Sequence, residues 1–310
     1  MMTCPFCSAK NPVGASFCDG CGGALTSAVA SQASARAQAQ AAQATAKQQA
    51  VRASQAAPHI GTGRLPPRTL LNKRYLVIKA VGQGGMAAVY QASDTRANRT
   101  VAIKEMSQDG LSPDELRETV EGFNAEARML QSLSHDNLPR VYESFSENAR
   151  HYLVMEFIEG QTLEQRMIAA RGALPEAEVL GWAAQLCAAL DYLHTHNPPV
   201  IFRDLKPANI MVTPKGKVKL IDFGIARTFN RIRTHDTQAL GTPGYAPPEQ
   251  YGSAQTDPRA DIYALGATLY QLLTAYDVSK TPFALPPMQT RNPSISPNVR
   301  RAIERATRLD

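Results

Sequence analysis

The sequence lacks any apolar run that approaches the roughly 20 residues of a membrane-spanning helix. Its start has no basic region followed by an apolar one, so it does not show the pattern of a secretory signal. The formal net charge is +6, but the basic residues form no cluster, which disfavours nucleic-acid binding. We therefore expect a soluble, cytoplasmic protein, and only a segment after Asp310 could anchor it to a membrane.

Cysteine is scarce, and four of the five cysteines lie in the first 21 residues. They form two CxxC pairs, Cys4 with Cys7 and Cys18 with Cys21, which can direct four thiolates at one Zn²⁺ ion. A segment this short has no core and needs the metal to fold. The alternatives are two disulfides, which a reducing cytosol disfavours, an iron site or a redox pair. We predict a structural zinc ribbon over residues 1–23. It resembles the small ribbons at the N-termini of many bacterial proteins, and we expect it to serve docking or regulation.

Aromatic residues are absent from residues 24–57, where Ala, Gln and Ser predominate. Such a segment has too few large apolar side chains to bury a core. Pro58, Pro66 and Pro67 end it. We predict a low-complexity linker over residues 24–68, followed by a folded domain over residues 69–310.

The folded domain begins with short runs rich in branched and aromatic residues, which predict strands. These runs are "RYLVIKAV", "MAAVYQAS", "TVAIKEM", "VYESFSEN" and "HYLVMEF". A helix is predicted between the runs "TVAIKEM" and "VYESFSEN", because Ser112, Pro113 and Glu115 form a capping box. After Gly160 the pattern is helical, and one helical run contains Cys187, which we expect to be buried. The predicted fold class is α+β, with a strand-rich half over residues 69–158 and a helical half over residues 159–310.

Glycines follow the first predicted strand in "VGQGGMAAVY". Gly82, Gly84 and Gly85 would let the backbone approach a polyphosphate, although a plain glycine hairpin explains them as well. Lys104 in "VAIK" would point its ammonium group at the same phosphates. A strand lysine is otherwise usually solvated. Glu126 lies on the apolar side of the following helix, where a carboxylate needs a partner, and Lys104 is the natural one.

Polar residues interrupt the apolar stretch "IFRDLKPANIMV", and "LIDFGIAR" follows it. Asn209 and Asp222 offer an amide and a carboxylate, which suit Mg²⁺ ions that share phosphate oxygens. Asp204 is then available to accept a hydroxyl proton, and Lys206 can offset charge on a transferred phosphoryl group. The spacing therefore predicts phosphoryl transfer.

These motifs together resemble the protein kinase catalytic domain, and most closely the bacterial Hanks-type serine/threonine kinases. The resemblance covers about Tyr75 to Asp310 and implies a two-lobed fold. It implies that Lys104 holds the α- and β-phosphates and pairs with Glu126. It further implies that Asp204 is the catalytic base, that Asn209 and Asp222 bind Mg²⁺, with Mn²⁺ as the alternative, and that ATP is the nucleotide.

The resemblance also assigns the nucleotide pocket and the loop that receives the substrate. Met155 would guard the back of the adenine pocket, while the backbone of Glu156 and Ile158 would meet the adenine edge. The residues expected to sandwich the ring are Val81, Val89, Ala102 and Met211. Thr242 lies in the substrate loop, Glu249 ends it, and Asp261 would hold the catalytic-loop backbone. Thr234 or Thr237, once phosphorylated, would pair with Arg203.

Three residues depart from the family pattern. Ala87 replaces the third glycine of the glycine loop, and Pro248 replaces an alanine before Glu249. Phe202 replaces the usual histidine before the catalytic motif, and we expect its ring to pack against Phe223 and Leu130. A damaged, inactive pseudokinase scaffold is the alternative.

The sequence ends at Asp310, whereas the family pattern continues with a helix and an arginine that pairs with Glu249. We therefore expect either a truncated or an unusual C-terminus, and an unpaired Glu249. The preferred function is an ATP-dependent serine/threonine protein kinase that phosphorylates proteins and its own activation loop. Expected partners are protein substrates, a regulator bound to the zinc ribbon and a second copy of the chain for trans-autophosphorylation.

Overall fold

The computed structural model describes residues 1–4, 7–21, 25, 65–83, 87–106, 112–223, 242–251 and 257–309. The chain divides into two compact units, Met1–Ile60 and Gly61–Asp310. The division lies inside the predicted linker, most of which is outside the described residues, so the predicted domain boundaries stay predictions. No helix in the described ranges is long and apolar enough to cross a bilayer.

The described part of the first unit is a small hairpin. Strand β1 (Met2–Thr3) pairs antiparallel with β2 (Lys10–Asn11). The backbone turns tightly after β1, because Cys4 N–H donates to Ala9 C=O at 2.9 Å and Ser8 N–H donates to Cys4 C=O at 3.0 Å. This turn carries the first CxxC pair.

The second unit opens with an antiparallel sheet of six strands in the order β3-β4-β5-β6-β8-β7. Its strands are β3 (Leu70–Leu71), β4 (Tyr75–Gln83), β5 (Ala87–Asp94), β6 (Arg99–Met106), β7 (Val141–Glu147) and β8 (Arg150–Glu156). Helix α1 (Pro113–Ser132) lies between β6 and β7 in the chain and buries Phe123, Ala127 and Leu130, as its periodicity predicts. The side chain of Glu115 is outside the described part, so the capping box stays a prediction.

The rest of the second unit is mostly helical. Its helices are α2 (Leu163–Ala170), α3 (Glu176–His194), α4 (Pro258–Thr274), α5 (Met288–Arg291) and α6 (Pro297–Ala306). A three-stranded sheet of β9 (Gln161–Thr162), β10 (Ile210–Val212) and β11 (Val218–Leu220) adjoins them in the order β11-β10-β9. The expected strand-rich and helical halves are thus present, and one core joins them, since α1, Leu153, Leu186 and Leu220 belong to a single apolar cluster.

The expectation that Cys187 is buried is wrong, because its side chain is exposed. Helix α3 buries Ala183, Leu186, Ala189 and Leu190. At about 100° per residue, Cys187 lies beside that stripe rather than on it. The run around Cys187 is apolar on more than one face, so composition alone does not show which face is packed.

Candidate kinase active site and zinc-binding cluster

The four N-terminal cysteines converge. Their sulfur atoms all lie within 4.8 Å of one another. Cys4 Sγ is 3.7 Å from Cys21 Sγ, and Cys7 Sγ is 3.5 Å from Cys18 Sγ. A disulfide needs about 2.05 Å, whereas a tetrahedron with Zn–S bonds of ~2.3 Å separates its sulfurs by about 3.8 Å. The spacing therefore fits one tetrahedral metal ion, and the four cysteines form no disulfide in this structure.

Asn11 supports this cysteine cluster from β2. Its side chain is almost fully buried, and Nδ2 donates to Cys18 Sγ at 3.4 Å and to Ala9 C=O at 3.0 Å. Asn11 Oδ1 accepts a hydrogen bond from Asp19 N–H at 2.8 Å, and Gly20 N–H donates to Cys18 Sγ at 3.3 Å. Burial opposes ionisation of Cys18, but the donors from Gly20 and Asn11 outweigh it and lower the pKa of its thiol to about 6. These donors thus favour the thiolate form of Cys18, whereas at Cys7 the backbone of Ala9 lowers the pKa of the thiol but hydrogen bonds with Cys21 and Cys18 outweigh it and raise that pKa.

The backbone of the predicted catalytic loop is held by Asp261 on α4. This carboxylate is fully buried, which is costly without partners. It accepts hydrogen bonds from Phe202 N–H at 2.8 Å and Arg203 N–H at 2.7 Å, and His194 Nε2 lies 2.8 Å from it. Arg203 has a φ of 69°, so the loop turns sharply just before Asp204. The predicted anchoring role of Asp261 is confirmed.

Asp204 is surrounded by polar groups that reach it from two segments. Asn209 Nδ2 donates to its Oδ2 at 2.8 Å and to its backbone C=O at 2.9 Å. Lys206 Nζ lies 3.1 Å from the same Oδ2. From the segment 242–247, the Thr242 hydroxyl donates to Asp204 Oδ1 at 2.8 Å and accepts from Lys206 Nζ at 2.9 Å. The residues predicted from "RDLKPAN" and Thr242 therefore form one connected network.

Asp222 lies next to this network. Ile221 N–H donates to Asn209 C=O at 2.9 Å, which places the residue before Asp222 against the loop that carries Asn209. The Asp222 carboxylate forms an ion pair with Lys104 Nζ. The side chain of Glu126 is not described, so its predicted pairing with Lys104 stays a prediction.

One face of the six-stranded sheet carries the residues expected around the nucleotide. Val89 pairs directly with Lys104, and Ala102 pairs directly with Met155. Cross-strand partners and residues two apart share a face, so these four side chains point the same way. Ile158 is buried, and Met211 on β10 is half-buried. Gly84 and Gly85 lie outside the described residues.

Phe202 packs as the sequence predicts. It is fully buried, and its ring meets the ring of Phe223 edge to face, with centroids 5.2 Å apart. Leu130 of α1 belongs to the same apolar cluster. The phenyl ring in place of histidine therefore completes an apolar contact and leaves the polar groups around Asp204 intact.

Comparison with known proteins decides the family. A family profile described as the protein kinase domain matches residues 75–296. The chain belongs to the protein kinase domain family. The match confirms the two-lobed fold and the bacterial resemblance, since the relatives of this kinase domain include bacterial serine/threonine kinases.

Two such relatives are named serine/threonine-protein kinases. PrkC of Bacillus subtilis is 35% identical over 252 residues, which cover 77% of this chain and 38% of the relative. PknL of Mycobacterium tuberculosis is 35% identical over 215 residues, which cover 69% of this chain and 51% of the relative. The chain thus spans between about a third and a half of the length of these relatives.

The chain also resembles solved structures in its fold. The chain resembles the structure titled "PpkA-294 apo form" with a TM-score of 0.69 and 29% identity, covering 80% of this chain and 94% of that one. It also resembles the PknI kinase domain of Mycobacterium tuberculosis, with a TM-score of 0.62 and 25% identity. The match covers 79% of this chain and 92% of the PknI chain.

Sequence reasoning missed one supporting residue of the kinase domain. Lys219 on β11 is buried, and its Nζ donates to Glu156 Oε2 at 2.8 Å and to Leu138 C=O at 2.9 Å. Glu156 Oε2 also accepts from Arg140 N–H at 3.1 Å. The ion pair fixes the side chain of Glu156, whose backbone is predicted to meet adenine. A lysine inside the apolar run "VKLI" was the available signal, because a buried lysine needs a partner.

The two threonines that we predict to be regulatory precede Thr242 in the sequence. Thr234 and Thr237 lie outside the described residues. Arg203, their predicted partner, is partly buried, and its Nε atom has no hydrogen-bond partner among the described groups.

Proposed function

We propose that this chain is an ATP- and Mg²⁺-dependent serine/threonine protein kinase. The observation that carries the proposal is the hydrogen bond of 2.8 Å from the Thr242 hydroxyl to Asp204. A general base must lie about 2.6–3.2 Å from the oxygen whose proton it accepts. Asp204 already accepts an aliphatic hydroxyl at that distance, so a serine or threonine of a substrate can make the same contact.

The charged groups around Asp204 suit phosphoryl transfer, because that reaction depends on positioning the reactants and on neutralising the negative charge of the phosphates. Lys206 Nζ donates to Thr242 Oγ1 at 2.9 Å and lies beside Asp204, so it can neutralise charge near the accepting hydroxyl. Lys104 is almost fully buried and pairs with Asp222. This ammonium group is thereby held on the sheet face, where it would bind nucleotide phosphates.

The residues present fit a Mg²⁺ site. The Nδ2 atom of Asn209 is used by Asp204, so its Oδ1 atom faces the opposite side as an oxygen ligand. Asp222 adds a carboxylate next to the same loop. Both are hard oxygen donors of the kind that Mg²⁺ or Mn²⁺ accepts. The bound ion would neutralise phosphate charge, and we propose that Asn209 and Asp222 hold it.

We propose that the adenine ring lies against Val81, Val89, Ala102 and Met211, in front of Met155. Its edge would meet the backbone of Glu156 and Ile158. The shared orientation of Val89, Ala102 and Met155 on the sheet supports this assignment. The Lys219 contact to Glu156 supports it as well.

Incubation with radiolabelled ATP and a general acceptor protein such as casein tests the kinase proposal. We expect Asp204→Asn to lower phosphate transfer by about 10²–10⁴-fold, because it removes the proton acceptor. Asp191→Asn is the matched control, since Asp191 is exposed on α3 and should retain full activity. Equal transfer by wild type and Asp204→Asn would refute the proposal.

The N-terminal cluster leads to a second proposal. Cys4, Cys7, Cys18 and Cys21 hold one structural Zn²⁺ ion, as the spacing of their sulfurs supports. With four thiolates bound, no coordination position is open for catalysis. We propose that the ribbon docks a regulatory partner.

Activation-loop phosphorylation remains part of the proposed function. We propose that a second copy of the chain phosphorylates Thr234 or Thr237 in trans and that the phosphate pairs with Arg203. The buried Nε atom of Arg203 supports an anionic partner. Mass spectrometry of active enzyme should find the loop phosphate, and its absence would contradict this proposal.

A further inference from the structure

One side of helix α6 presents arginine side chains to solvent. Arg301, Arg305 and Arg308 are exposed, and together with Ala302 and Glu304 they line a surface concavity of about 680 Å³. Steps of about 100° per residue place positions 301 and 305 within about 40° of each other around the helix axis. Arg308 lies just after the helix and lines the same concavity. We call these three residues the arginine face. They are not adjacent in the sequence, and the helix brings them together.

The opposite side of α6 packs on α4. Ile303 is buried. Gly266 of α4 approaches so closely that an added Cβ would lie 2.8 Å from Thr307 Cγ2 and 2.9 Å from Ala306 Cβ. Because this packing fixes the backbone, the arginine face is formed before any partner binds, which lowers the entropic cost of binding.

The stability of α6 does not explain the arginine face. Arg301 and Arg305 are four residues apart, a spacing at which like charges destabilise a helix. The first turn holds no acidic residue, and Ser296 at the N-cap makes no side-chain hydrogen bond to it, so the usual stabilisers of a helix start are absent. Glu304 precedes Arg308 by four residues, but these two described side chains form no ion pair. The positive charge of the face is thus available to an external partner.

The dimensions of the arginine face fit an extended acidic chain. Along the helix, Arg305 lies about 6 Å from Arg301, at 1.5 Å per residue. In an extended chain, side chains two residues apart lie on the same side and are separated by about 6.7 Å. Acidic side chains on alternate residues can therefore each meet one guanidinium group, which binds a carboxylate or a phosphate through two parallel hydrogen bonds.

The surroundings of the arginine face disfavour nucleic acid and a lipid surface. Among the five residues that line the concavity there is no aromatic ring, so unpaired bases would have no ring on which to stack. Glu304 borders the face and would repel a continuous row of phosphates. A helix that binds a membrane turns its apolar side to the lipid, whereas Ile303 on the apolar side of α6 is buried in the protein.

We propose that the arginine face binds an acidic segment of a partner protein in extended conformation, with carboxylate or phosphate groups on alternate residues. These anions neutralise guanidinium groups that repel one another in the free protein. The inference goes beyond the proposed kinase function, since no residue of the face belongs to the network around Asp204.

Fluorescence anisotropy with a labelled peptide of alternating aspartate and alanine tests the proposal on the whole chain. We expect wild type to bind this peptide saturably at about 0.1 M salt. Arg305→Glu should weaken binding by at least about tenfold, because it removes a charge-assisted pair and adds repulsion. Arg305→Lys keeps the charge but loses the planar fork of donors, so its affinity should be intermediate. Arg96→Glu is the matched control, since Arg96 is exposed between β5 and β6, and it should bind like wild type.

Two further peptides define the chemistry that is recognised. A peptide with phosphoserine in place of aspartate shows whether the face prefers phosphate or carboxylate, and loss of its binding in Arg305→Glu would equally support the proposal. A peptide with asparagine in place of aspartate should not bind, because it carries no negative charge.

Three results would each overturn the proposal. They are the absence of acidic-peptide binding by wild type, an equal loss of binding in Arg96→Glu, and tighter binding of single-stranded DNA or phosphatidylserine vesicles that Arg305→Glu also weakens. The Tm of Arg305→Glu should equal that of wild type, because the side chain is exposed. Should its Tm be lower, Arg301→Glu at the neighbouring exposed position repeats the test, and full binding by that folded variant would also refute the proposal.

Discussion

At the level of individual side chains, Phe202 is an apolar ring at the position where the kinase pattern has histidine. Its ring is fully buried against Phe223. We expect Phe202→His to lower the free energy of unfolding by about 1–3 kcal/mol, because it buries a polar ring nitrogen among apolar groups. Phe202→Leu, which stays apolar, should cost roughly 1 kcal/mol. Urea denaturation measures both. A histidine variant as stable as wild type would mean that the pocket offers the imidazole a partner.

Thr242 carries a single hydroxyl that joins two side chains for which we propose catalytic roles. It donates to Asp204 and accepts from Lys206. Thr242→Val keeps the shape and removes the hydroxyl, so Asp204 and Lys206 lose a common partner. We expect kcat to fall by about 10–100-fold with the Tm nearly unchanged. Thr290→Val, at an exposed position on α5, is the control. Unchanged kcat in Thr242→Val would contradict the role of this hydroxyl.

The ionisation of Asp94 makes the free energy of unfolding depend on pH in the acid range. The Arg74 guanidinium binds its two carboxylate oxygens at 2.7 Å and is the main reason that the pKa of Asp94 is lowered to about 2, against the opposing effect of burial. A carboxyl group with a lowered folded-state pKa stabilises the fold above its unfolded pKa of about 3.9. That stabilisation is lost as the pH falls through about 2.

We therefore expect wild-type stability to fall by roughly 2 kcal/mol between pH 4 and pH 2 through this group. Asp94→Asn should be less stable at neutral pH, and its stability should fall less over that interval. Asp114→Asn removes a carboxylate that is 89% exposed and should leave the profile unchanged. Denaturation across the pH range measures this, and parallel profiles for wild type and Asp94→Asn would contradict it.

For the strands and helices, local pattern was enough to predict type and order. The run "TVAIKEM" became β6, and the helix start at Pro113 was placed correctly. The pairing of Lys219 with Glu156 was not predictable, because 63 residues separate the partners. The prediction that Cys187 is buried was wrong for a related reason, since apolar composition does not show which helix face meets the core. The proximity of Asp204, Lys206 and Asn209 could be predicted because their types and spacings are themselves the motif, whereas their hydrogen bonds depend on tertiary contacts.

Gly244 is the contact between the segment 242–247 and the 3-10 helix Val278–Lys280. Its φ is 86°, and an added Cβ would lie 2.5 Å from Val278 C and O. Gly216 has a φ of 75° with nothing within 4 Å of an added Cβ. Both alanine variants meet the same backbone penalty, about 1–2 kcal/mol. Gly244→Ala should lose roughly 1–3 kcal/mol more through the clash. Calorimetry compares them, and equal losses would mean that the contact is loose.

Across the whole chain, the two compact units depend on different sources of stability. The kinase domain has an extensive apolar core that runs from α1 to α6. The described part of the ribbon has one short hairpin and a cluster of four cysteines, with Val13 and Phe17 exposed. We therefore expect the first unit to fold only when metal is bound, and the kinase domain to be stabilised by its apolar core.

Removal of one cysteine ligand should therefore affect the first unit alone. We expect purified wild type to contain one zinc per chain and Cys18→Ser to contain almost none, because three thiolates bind the ion much more weakly. The thermal transition of the kinase domain should be the same in both proteins. Cys187→Ser is the matched control, since Cys187 is exposed on α3 and lies outside the cluster, and it should retain the metal. Elemental analysis measures the zinc content, and calorimetry measures the thermal transition of the kinase domain. Zinc retained by Cys18→Ser would contradict the four-thiolate site, and a lower kinase transition would show that the ribbon stabilises the catalytic unit.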